Sequence, residues 1–410
     1  MRILMVCPDS PYPPRDGGSL RIVNLARGLS QSASVALLTY TTSGSEMHAL
    51  QEFGADCGVD IYPVQRPARR NKLTRAWHKL SLYYASYALS SIPGPVRFNM
   101  RPVMRRALAR ALAEFKPDVL IWEYWFMTGF AEYARQLAPQ ALQVLDEIDL
   151  EWIRLERLMH VRRGLPMWWI RFCLPRIRSY TLQRHQHMDG VMTLSPADAQ
   201  LAQHSSPEFD RLRVVPLGLM LENYPDLGAG QPNRLLFFGS FRHAPNADAL
   251  EYLLNDLFPC ICRERPTITL DIMGAALPAY LMDLARAQPG VRVLGFQPDI
   301  RPILAESAVI IAPLRFGSGV KVKLLESMAL GKAVVTTSIG AEGIGAKPDI
   351  DWIVADDAET IARQAIRLLE DEPARQAMGQ CARASVHQRH DTVAIARDLI
   401  RLLETIPPRR

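Results

Sequence analysis

The chain has 410 residues, a formal net charge of +6 and 48% hydrophobic residues. This length and composition indicate a folded globular protein of two or more domains, since domains commonly hold about 100–200 residues. Its six cysteines show neither zinc-binding nor disulfide spacing, so we expect a reduced, cytoplasmic protein. The start of the chain lacks a signal-peptide pattern, and no apolar run of about 18 residues predicts a membrane-spanning helix.

The first half of the chain alternates strands and helices. "RILMVCP" predicts a buried strand, followed by a turn at Gly17 and Gly18, a helix from about Leu20 to Leu29 and a strand that ends near Tyr40. This order is a βαβ unit, which implies a parallel sheet. Helical patterns follow at 72–90 and 101–115. Further strands are predicted in "PDVLIWE", "QALQVLDEID", "DGVMTLS" and "RLRVV".

The second half repeats this alternation. "NRLLFFGSF", "TITLDIMG", "VRVLGF", "AVIIAPL", "KAVVTT" and "DWIVA" predict strands, with helical segments between them. Two such series predict two doubly wound α/β domains, divided near the Pro- and Gly-rich segment 216–233. The segment 373–404 has a helical pattern throughout.

The segment 316–337, "FGSGVKVKLLESMALGKAVVTT", joins a glycine turn to a helix and a strand. It follows a predicted strand and so lies at the carboxyl end of the sheet, where such sheets bind ligands. A helix that begins near Val320 would direct its amides and positive dipole end to the same place. Lys321 and Lys323 add charge that suits a diphosphate, and Glu326 can accept ribose hydroxyls. The alternative is an ordinary strand–turn–helix with surface lysines.

Several motifs resemble the retaining glycosyltransferases of family 4, which have the GT-B fold. "LLESMALGKAVV" and "GAEGI" match the donor-site region of that family closely, and "LLFFGSFRHAPNADAL", "VRVLGF", "VMTLSPADAQLA" and "DGGSLRIVNLARGL" match its pattern in order. The resemblance covers most of the chain and is strongest from about 234 to 345. It implies two Rossmann-like domains that face each other across a cleft. The acceptor domain would be 1–215, the donor domain 216–385, and 386–410 a helix that crosses back to the first domain.

The resemblance also assigns roles around the donor diphosphate. Glu326 matches the second glutamate of a paired motif, which holds the donor ribose, whereas Ser318 stands where the first glutamate is expected. The amides of Gly317, Ser318 and Gly319 are the expected replacement. Basic residues that relatives carry just after Gly239 are absent here, so Lys323, Arg242 and Lys321 are expected to contact the diphosphate. Lys323, Arg242 and Glu326 are the residues we expect to carry the chemistry.

Other positions match the family pattern but allow either a functional or a purely structural interpretation. Gly17 and Gly18 match a turn that faces the donor phosphates and the acceptor, or they form a simple tight turn. Gly295 and Phe296 match a loop against the nucleobase, although Phe296 also suits a core position. An ordinary surface arginine is the alternative for Arg242.

The acceptor side is less defined. "VLDEIDLEW" lies where many relatives carry a histidine, and it has none. Glu147 and Asp149 are expected either to orient the acceptor or to cap the next helix. In a retaining enzyme of this type the leaving diphosphate can take the acceptor proton, so the protein mainly supplies position and charge. The resemblance also implies no metal ion, because enzymes of the GT-B fold do not usually need one. We expect no cofactor besides a UDP- or GDP-linked donor sugar.

Two segments raise the question of a membrane. Residues 61–113 hold eleven Lys and Arg and no acidic residue, which indicates either a solvated helical face or an anionic partner. Residues 165–180 combine Trp168, Trp169 and Phe172 with arginines, a pattern favoured at a membrane interface or in a helix that closes the acceptor cleft. These patterns give the hypothesis of a peripheral enzyme on the inner face of the plasma membrane. Nucleic acid is not an expected partner, because no nucleic-acid fold is recognised.

The leading interpretation is therefore a retaining glycosyltransferase that moves a hexose from a nucleotide diphosphate sugar to a glycan or lipid-linked oligosaccharide in surface or extracellular polysaccharide synthesis. Ser318 keeps two alternatives open: an inverting GT-B enzyme or sugar-nucleotide epimerase, and a non-catalytic nucleotide-sugar binding or scaffold protein.

Overall fold

The structure is a computed structural model of the chain that describes residues 1–66, 92–161, 165–207 and 209–407, with the side chains of 160–169 left out. It divides the chain into two compact units. Unit 1 comprises Met1–Gly218 and Thr392–Arg410, and unit 2 comprises Leu219–Asp391. The helical pattern at 72–90 and residues 67–91 of the basic stretch lie outside the described residues, as do the side chains of Trp168 and Trp169.

Unit 1 is built on a seven-stranded parallel sheet with the order β3-β2-β1-β4-β5-β6-β7. Its strands are β1 Arg2–Cys7, β2 Ser34–Thr41, β3 Val59–Gln65, β4 Val119–Glu123, β5 Leu142–Glu147, β6 Gly190–Thr193 and β7 Leu212–Val214. Its first eight described helices are α1 Gly17–Ser30, α2 Gly44–Cys57, α3 Gly94–Asn99, α4 Pro102–Phe115, α5 Ala131–Leu137, α6 Glu151–Val161, α7 Leu165–His187 and α8 Pro196–Ser205. The inner strands β1, β2, β4, β5 and β6 are buried on both faces, as is usual for parallel sheets covered by helices, whereas the edge strands β3 and β7 are partly exposed.

Unit 2 is built on a six-stranded parallel sheet with the order β10-β9-β8-β11-β12-β13. Its strands are β8 Arg234–Phe238, β9 Thr269–Met273, β10 Val291–Gly295, β11 Val309–Ala312, β12 Ala333–Thr336 and β13 Ile353–Val354. Its helices are α9 Ala244–Tyr252, α10 Phe258–Glu264, α11 Ala279–Arg286, α12 Arg301–Glu306, α13 Val322–Ala329, α14 Ser338–Ala341, α15 Ala358–Glu370 and α16 Glu372–Arg389. The predicted fold class, two doubly wound α/β domains, is confirmed.

The last helix, α17 (Thr392–Thr405), belongs to unit 1 and packs on α1. The crossing is close, because a Cβ on Gly28 would lie 2.8 Å from the Thr392 side chain and 2.9 Å from Ala396. The prediction of continuous helix over 373–404 was wrong, since α16 ends at Arg389 and α17 begins at Thr392. The structure divides the chain after 218 and after 391, where the sequence had suggested 215 and 385.

The sequence analysis also missed several elements and misplaced a turn. Helices α2, α3 and α5 and strand β3 had not been assigned. Gly17 and Gly18 do not form a turn before the first helix. They are in its first turn, because Asp16 caps α1 by accepting from the amide of Ser19 while the Ser19 hydroxyl accepts from the amide of Asp16.

A buried ion pair ties unit 1 together. Arg21 of α1 donates to both carboxylate oxygens of Asp146 at 2.6 and 2.9 Å, and it also donates to the carbonyls of Val215 and Pro216. Both charged side chains are at most 1% exposed. The pair therefore joins α1, the end of β5 and the segment after β7.

Across the described residues, no helix is both long enough and apolar enough to cross a membrane.

Asp146→Asn should destabilise unit 1 by about 3–5 kcal/mol, because it leaves the buried Arg21 charge uncompensated. Urea unfolding followed by tryptophan fluorescence measures this change. Asp398→Asn is the control, since it breaks an ion pair with Arg401 whose side chains are 72% and 76% exposed, and it should change stability by less than about 1 kcal/mol. Equal effects of the two substitutions would contradict the role given to the buried pair.

Candidate functional site

The strand order of unit 2 reverses between β8 and β11, which lie side by side in the sheet. In open α/β sheets, ligands bind at such a switch point beyond the carboxyl ends of the strands. The loop 239–243, after β8, and the loop 313–321, after β11, are therefore the two loops that border the candidate site.

The loop after β11 is shaped by its glycines and by Lys321. Gly317 and Gly319 have φ angles of +141° and +68°, which side chains other than glycine rarely adopt. The Lys321 ammonium donates to the carbonyls of Ser318 and Gly319, the latter at 2.6 Å. Lys321 thus stabilises its own loop. The Ser318 hydroxyl is buried and has no hydrogen-bond partner in the structure.

Two charged residues on either side of this loop fix it to α9. Arg315 makes a bidentate ion pair with Asp248 at 2.8 and 2.9 Å. The Lys323 ammonium donates to the Asn246 side chain at 2.9 Å. Because both partners are on α9, the helix that follows β8, the two loops are held in one arrangement.

Asn246 also contacts the loop after β8. Its amide nitrogen donates to the Ser240 carbonyl at 2.9 Å, and a Cβ at Gly239 would lie 2.8 Å from that nitrogen. Glycine is therefore required at 239, where φ is +150°. Arg242, in the same loop, is exposed, and no hydrogen bond or ion pair joins it to the rest of the described chain.

Lys323 lies in an unusual environment for a lysine. Its ammonium is 4.5 Å from the centre of the Phe237 ring. Burial, and then the charge of Lys321, lower its pKa to about 7. An anion that replaced water near this ammonium would favour its charged form, so the site is suited to bind negative charge.

Glu326 is the carboxylate of the site. It is on α13 and accepts a hydrogen bond from the Tyr224 hydroxyl at 2.9 Å. Burial raises the pKa of Glu326, and the Tyr224 hydrogen bond opposes that rise. The helix begins at Val322, two residues after the predicted start, and ends at Ala329; Gly331, two residues later, has a φ of +75°.

Gly295 is the last residue of β10, the edge strand of the same sheet, and Phe296 follows it. Gly295 has a φ of +69°, and the Phe296 side chain is 70% exposed. The alternative that Phe296 is a core residue is therefore wrong, because the chain turns at Gly295 and directs the ring to solvent.

In unit 1, Gly18 is a point of close approach. A Cβ at this position would lie 1.8 Å from the hydroxyl oxygen of Tyr124, the residue after β4. Tyr124 itself has a φ of +70°. Packing against Tyr124 thus requires glycine at 18, whether or not this glycine also faces a ligand.

The acceptor-side carboxylates differ in accessibility. Glu147 is fully buried and pairs with His185 of α7 at 2.9 Å, so it does not cap α6. Burial raises its pKa, and His185 opposes the rise. Asp149 is half-buried. Near them Glu123 is buried with both carboxylate oxygens unpaired, and burial followed by the charge of Asp146 raises its pKa well above the usual range.

Sequence reasoning missed four residues that shape these sites. Their partners are 38 to 102 positions away in the chain, so no local pattern could reveal them. They are Tyr224, Asn246, Asp248 and His185.

Two family models match the chain. The glycosyl transferase 4-like domain matches residues 16–218, and the glycosyl transferases group 1 model matches residues 232–371. Together they span most of the sequence, and the chain belongs to the group 1, family-4-like glycosyltransferases. An uncharacterised 44.6 kDa protein in the cps region of Klebsiella pneumoniae is 30% identical over 139 residues. That match covers 32% of this chain and 36% of the relative, about a third of its length.

Solved structures show the same two-domain GT-B fold. HepE of Anabaena, determined with UDP-glucose, gives a TM-score of 0.68 at 16% identity over 99% of this chain and 100% of its own. Sucrose-phosphate synthase of Thermosynechococcus elongatus gives 0.70 at 16% identity over 98% of both chains. TarM of S. aureus, in a complex that includes UDP, gives 0.69 at 10% identity over 98% of this chain and 100% of its own.

The pKa of Lys323 predicts how stability depends on pH. Between about 7 and the ordinary value of 10.5, the unfolded chain binds a proton that the folded chain has released, so stability rises with pH over this range. Lys323→Met removes this contribution. Urea unfolding at pH 6 to 10, followed by circular dichroism, should show the wild type gaining stability relative to this variant as pH rises.

Lys347→Met, at an exposed lysine, is the control measured over the same range. A difference between the wild type and Lys323→Met that stays constant with pH, or that changes no more than the difference for Lys347→Met, would show that the environment of Lys323 does not act on its charge.

Proposed function

We propose that the protein is a retaining glycosyltransferase that moves a hexose from a UDP- or GDP-linked sugar to a glycan or lipid-linked oligosaccharide in surface or extracellular polysaccharide synthesis. The observation that carries this proposal is the arrangement at the switch point of unit 2. There a glycine loop, the ammonium of Lys323 and the carboxylate of Glu326 are positioned by one pair of strands and by α9.

Each part suits one part of the donor. The amides of residues 317–319 and the start of α13 would hold the diphosphate, together with Lys323 and the unpaired Arg242. Glu326 would accept from the ribose. The exposed ring of Phe296 would lie against the base. Gly17 and Gly18 of unit 1 remain candidates for contact with the donor phosphates.

The proposed reaction breaks the bond between the sugar carbon and the diphosphate and forms a bond from the acceptor hydroxyl oxygen to the same face of that carbon. The acceptor proton passes to the departing diphosphate oxygen. The protein then needs to position the two substrates and stabilise the developing charge, for which Lys323 and Arg242 supply cations without a metal ion. Asp149 is the more accessible acceptor-side carboxylate, since Glu147 is fully buried.

The relatives support the choice of donor and context. Two similar structures were determined with UDP or UDP-glucose, and the curated relative is encoded in a cps region. These facts concern those proteins, and they make UDP sugars the first donors to test and polysaccharide synthesis the first context.

Glu326→Ala should weaken the binding of UDP or GDP by about 1.5–3 kcal/mol, because it removes hydrogen bonds to a charged group. Calorimetry and thermal shift with UDP, GDP, ADP and their sugars measure this change. Glu264→Ala, on an exposed glutamate at the end of α10 and outside the loops of the site, is the control and should bind like the wild type.

Turnover separates the remaining alternatives. Release of nucleoside diphosphate with an acceptor glycan, and a product that keeps the anomeric configuration of the donor by NMR, are the expected results. An inverted product would identify an inverting enzyme, and an epimerised donor an epimerase. Tight binding without any turnover would identify a binding protein, and no binding by any nucleotide would contradict the proposal.

We also propose that unit 1 associates with an anionic membrane surface at the inner face of the plasma membrane. On α4, Arg105, Arg106 and Arg110 are exposed. On α7, Phe172 is 44% exposed beside Arg176, whose guanidinium is 4.7 Å from the centre of its ring. Basic and aromatic side chains together favour such a surface.

Replacing Arg105, Arg106 and Arg110 with alanine should weaken binding to phosphatidylserine vesicles by up to about 3 kcal/mol, since each basic residue near the surface contributes about 1 kcal/mol. Vesicle sedimentation at low and high salt measures this change. The exposed arginines Arg286, Arg363 and Arg401, replaced together, are the control. No sedimentation of the wild type with anionic vesicles at low salt would contradict the membrane proposal.

A further inference from the structure

One of the two carboxylate oxygens of Glu326 already has a hydrogen-bond donor within the protein. Its Oε1 accepts the hydrogen bond from Tyr224 at 2.9 Å. Its Oε2 makes no hydrogen bond within the described chain and is not among the buried atoms that lack a partner, so it is the oxygen open to a ligand. A carboxylate with no partner could offer one oxygen to each of the two neighbouring hydroxyls of a ribose. Here the Tyr224 phenol lies against Oε1 and uses one of its acceptor positions, so Oε2 is the oxygen that carries no hydrogen bond.

Tyr224 is held in this position from a second side. Its backbone carbonyl accepts from the guanidinium of Arg383 on α16 at 2.5 Å. Arg383 also donates to the carbonyl of Ala329, the last residue of α13. The same arginine therefore joins the backbone of Tyr224 to the end of the helix that carries Glu326.

The protonation states agree with this geometry. Burial, and then the negative charge of Glu326, raise the pKa of Tyr224 above its usual value, so the phenol keeps its proton and remains a donor. The bond it donates favours the ionised form of Glu326, which accepts but does not donate.

We propose that Tyr224 is a specificity-determining residue, which occupies one oxygen of Glu326 so that the carboxylate recognises a single hydroxyl of the donor ribose. This inference rests on the proposed function. Tyr224 acts through Glu326 and is a positioning residue. The donor pocket should therefore tolerate the loss of one of the two ribose hydroxyls and not the other.

The test compares UDP with 2′-deoxy-UDP and 3′-deoxy-UDP by calorimetry, or the corresponding GDP series if GDP is the better ligand. For the wild type, removal of one hydroxyl should weaken binding about 10- to 100-fold, as expected for a hydrogen bond to a charged group, and removal of the other should leave the affinity within about twofold. In Tyr224→Phe, the freed oxygen should accept the second hydroxyl, so both deoxy nucleotides should bind more weakly than the parent.

Tyr280→Phe is the matched control, because it removes a tyrosine hydroxyl that donates to a different carboxylate, that of Glu251, at 3.3 Å. It should keep the wild-type selectivity. Equal losses for both deoxy nucleotides in the wild type, or unchanged selectivity in a folded Tyr224→Phe, would overturn the inference. Failure of the wild type to bind any parent nucleotide would instead contradict the proposed function, so the two failures are distinct.

Discussion

The candidate donor site depends on the side chain of Asn246. Its amide donates to the carbonyl of Ser240 and accepts from the ammonium of Lys323, so a single residue joins the loop after β8 to the helix after β11. The ion pair between Arg315 and Asp248 fixes the other end of the second loop to the same helix, α9. These contacts bring a glycine loop and a helix start together before any ligand binds. Such preorganisation favours the binding of a diphosphate, because fewer loop and side-chain conformations have to be ordered when the ligand binds.

The charges of the site are arranged to respond to an anion. Lys323 is held over an aromatic ring and near a second lysine, and both the burial and the neighbouring charge disfavour its charged form. A diphosphate would reverse that balance. Glu326 is subject to the opposite influences, because burial favours its neutral form and Tyr224 favours its ionised form. Both groups on which the proposed function depends therefore have environments that shift their pKa values towards neutrality, as is frequent at active sites.

Local sequence patterns predicted most of the architecture. The alternation of short apolar strands with helices gave two doubly wound sheets, because each pattern reports burial within one element. The motif over 316–337 located the glycine loop, Lys323 and Glu326, since these residues are close in the chain. Tyr224 and His185 could not be predicted in their roles, because their partners are brought to them only by the completed fold. Gly17 and Gly18 were misplaced because a capping box, and not a turn, occupies Asp16 to Ser19.

A crystal structure of the chain with UDP, or with GDP if it binds more tightly, tests the central claim most directly. The account predicts that the diphosphate lies within hydrogen-bond distance of the amides of residues 317–319 and of the Lys323 ammonium, with a ribose hydroxyl on Glu326. A nucleotide bound away from the loops after β8 and β11, with Glu326 still free of the ribose, would contradict it.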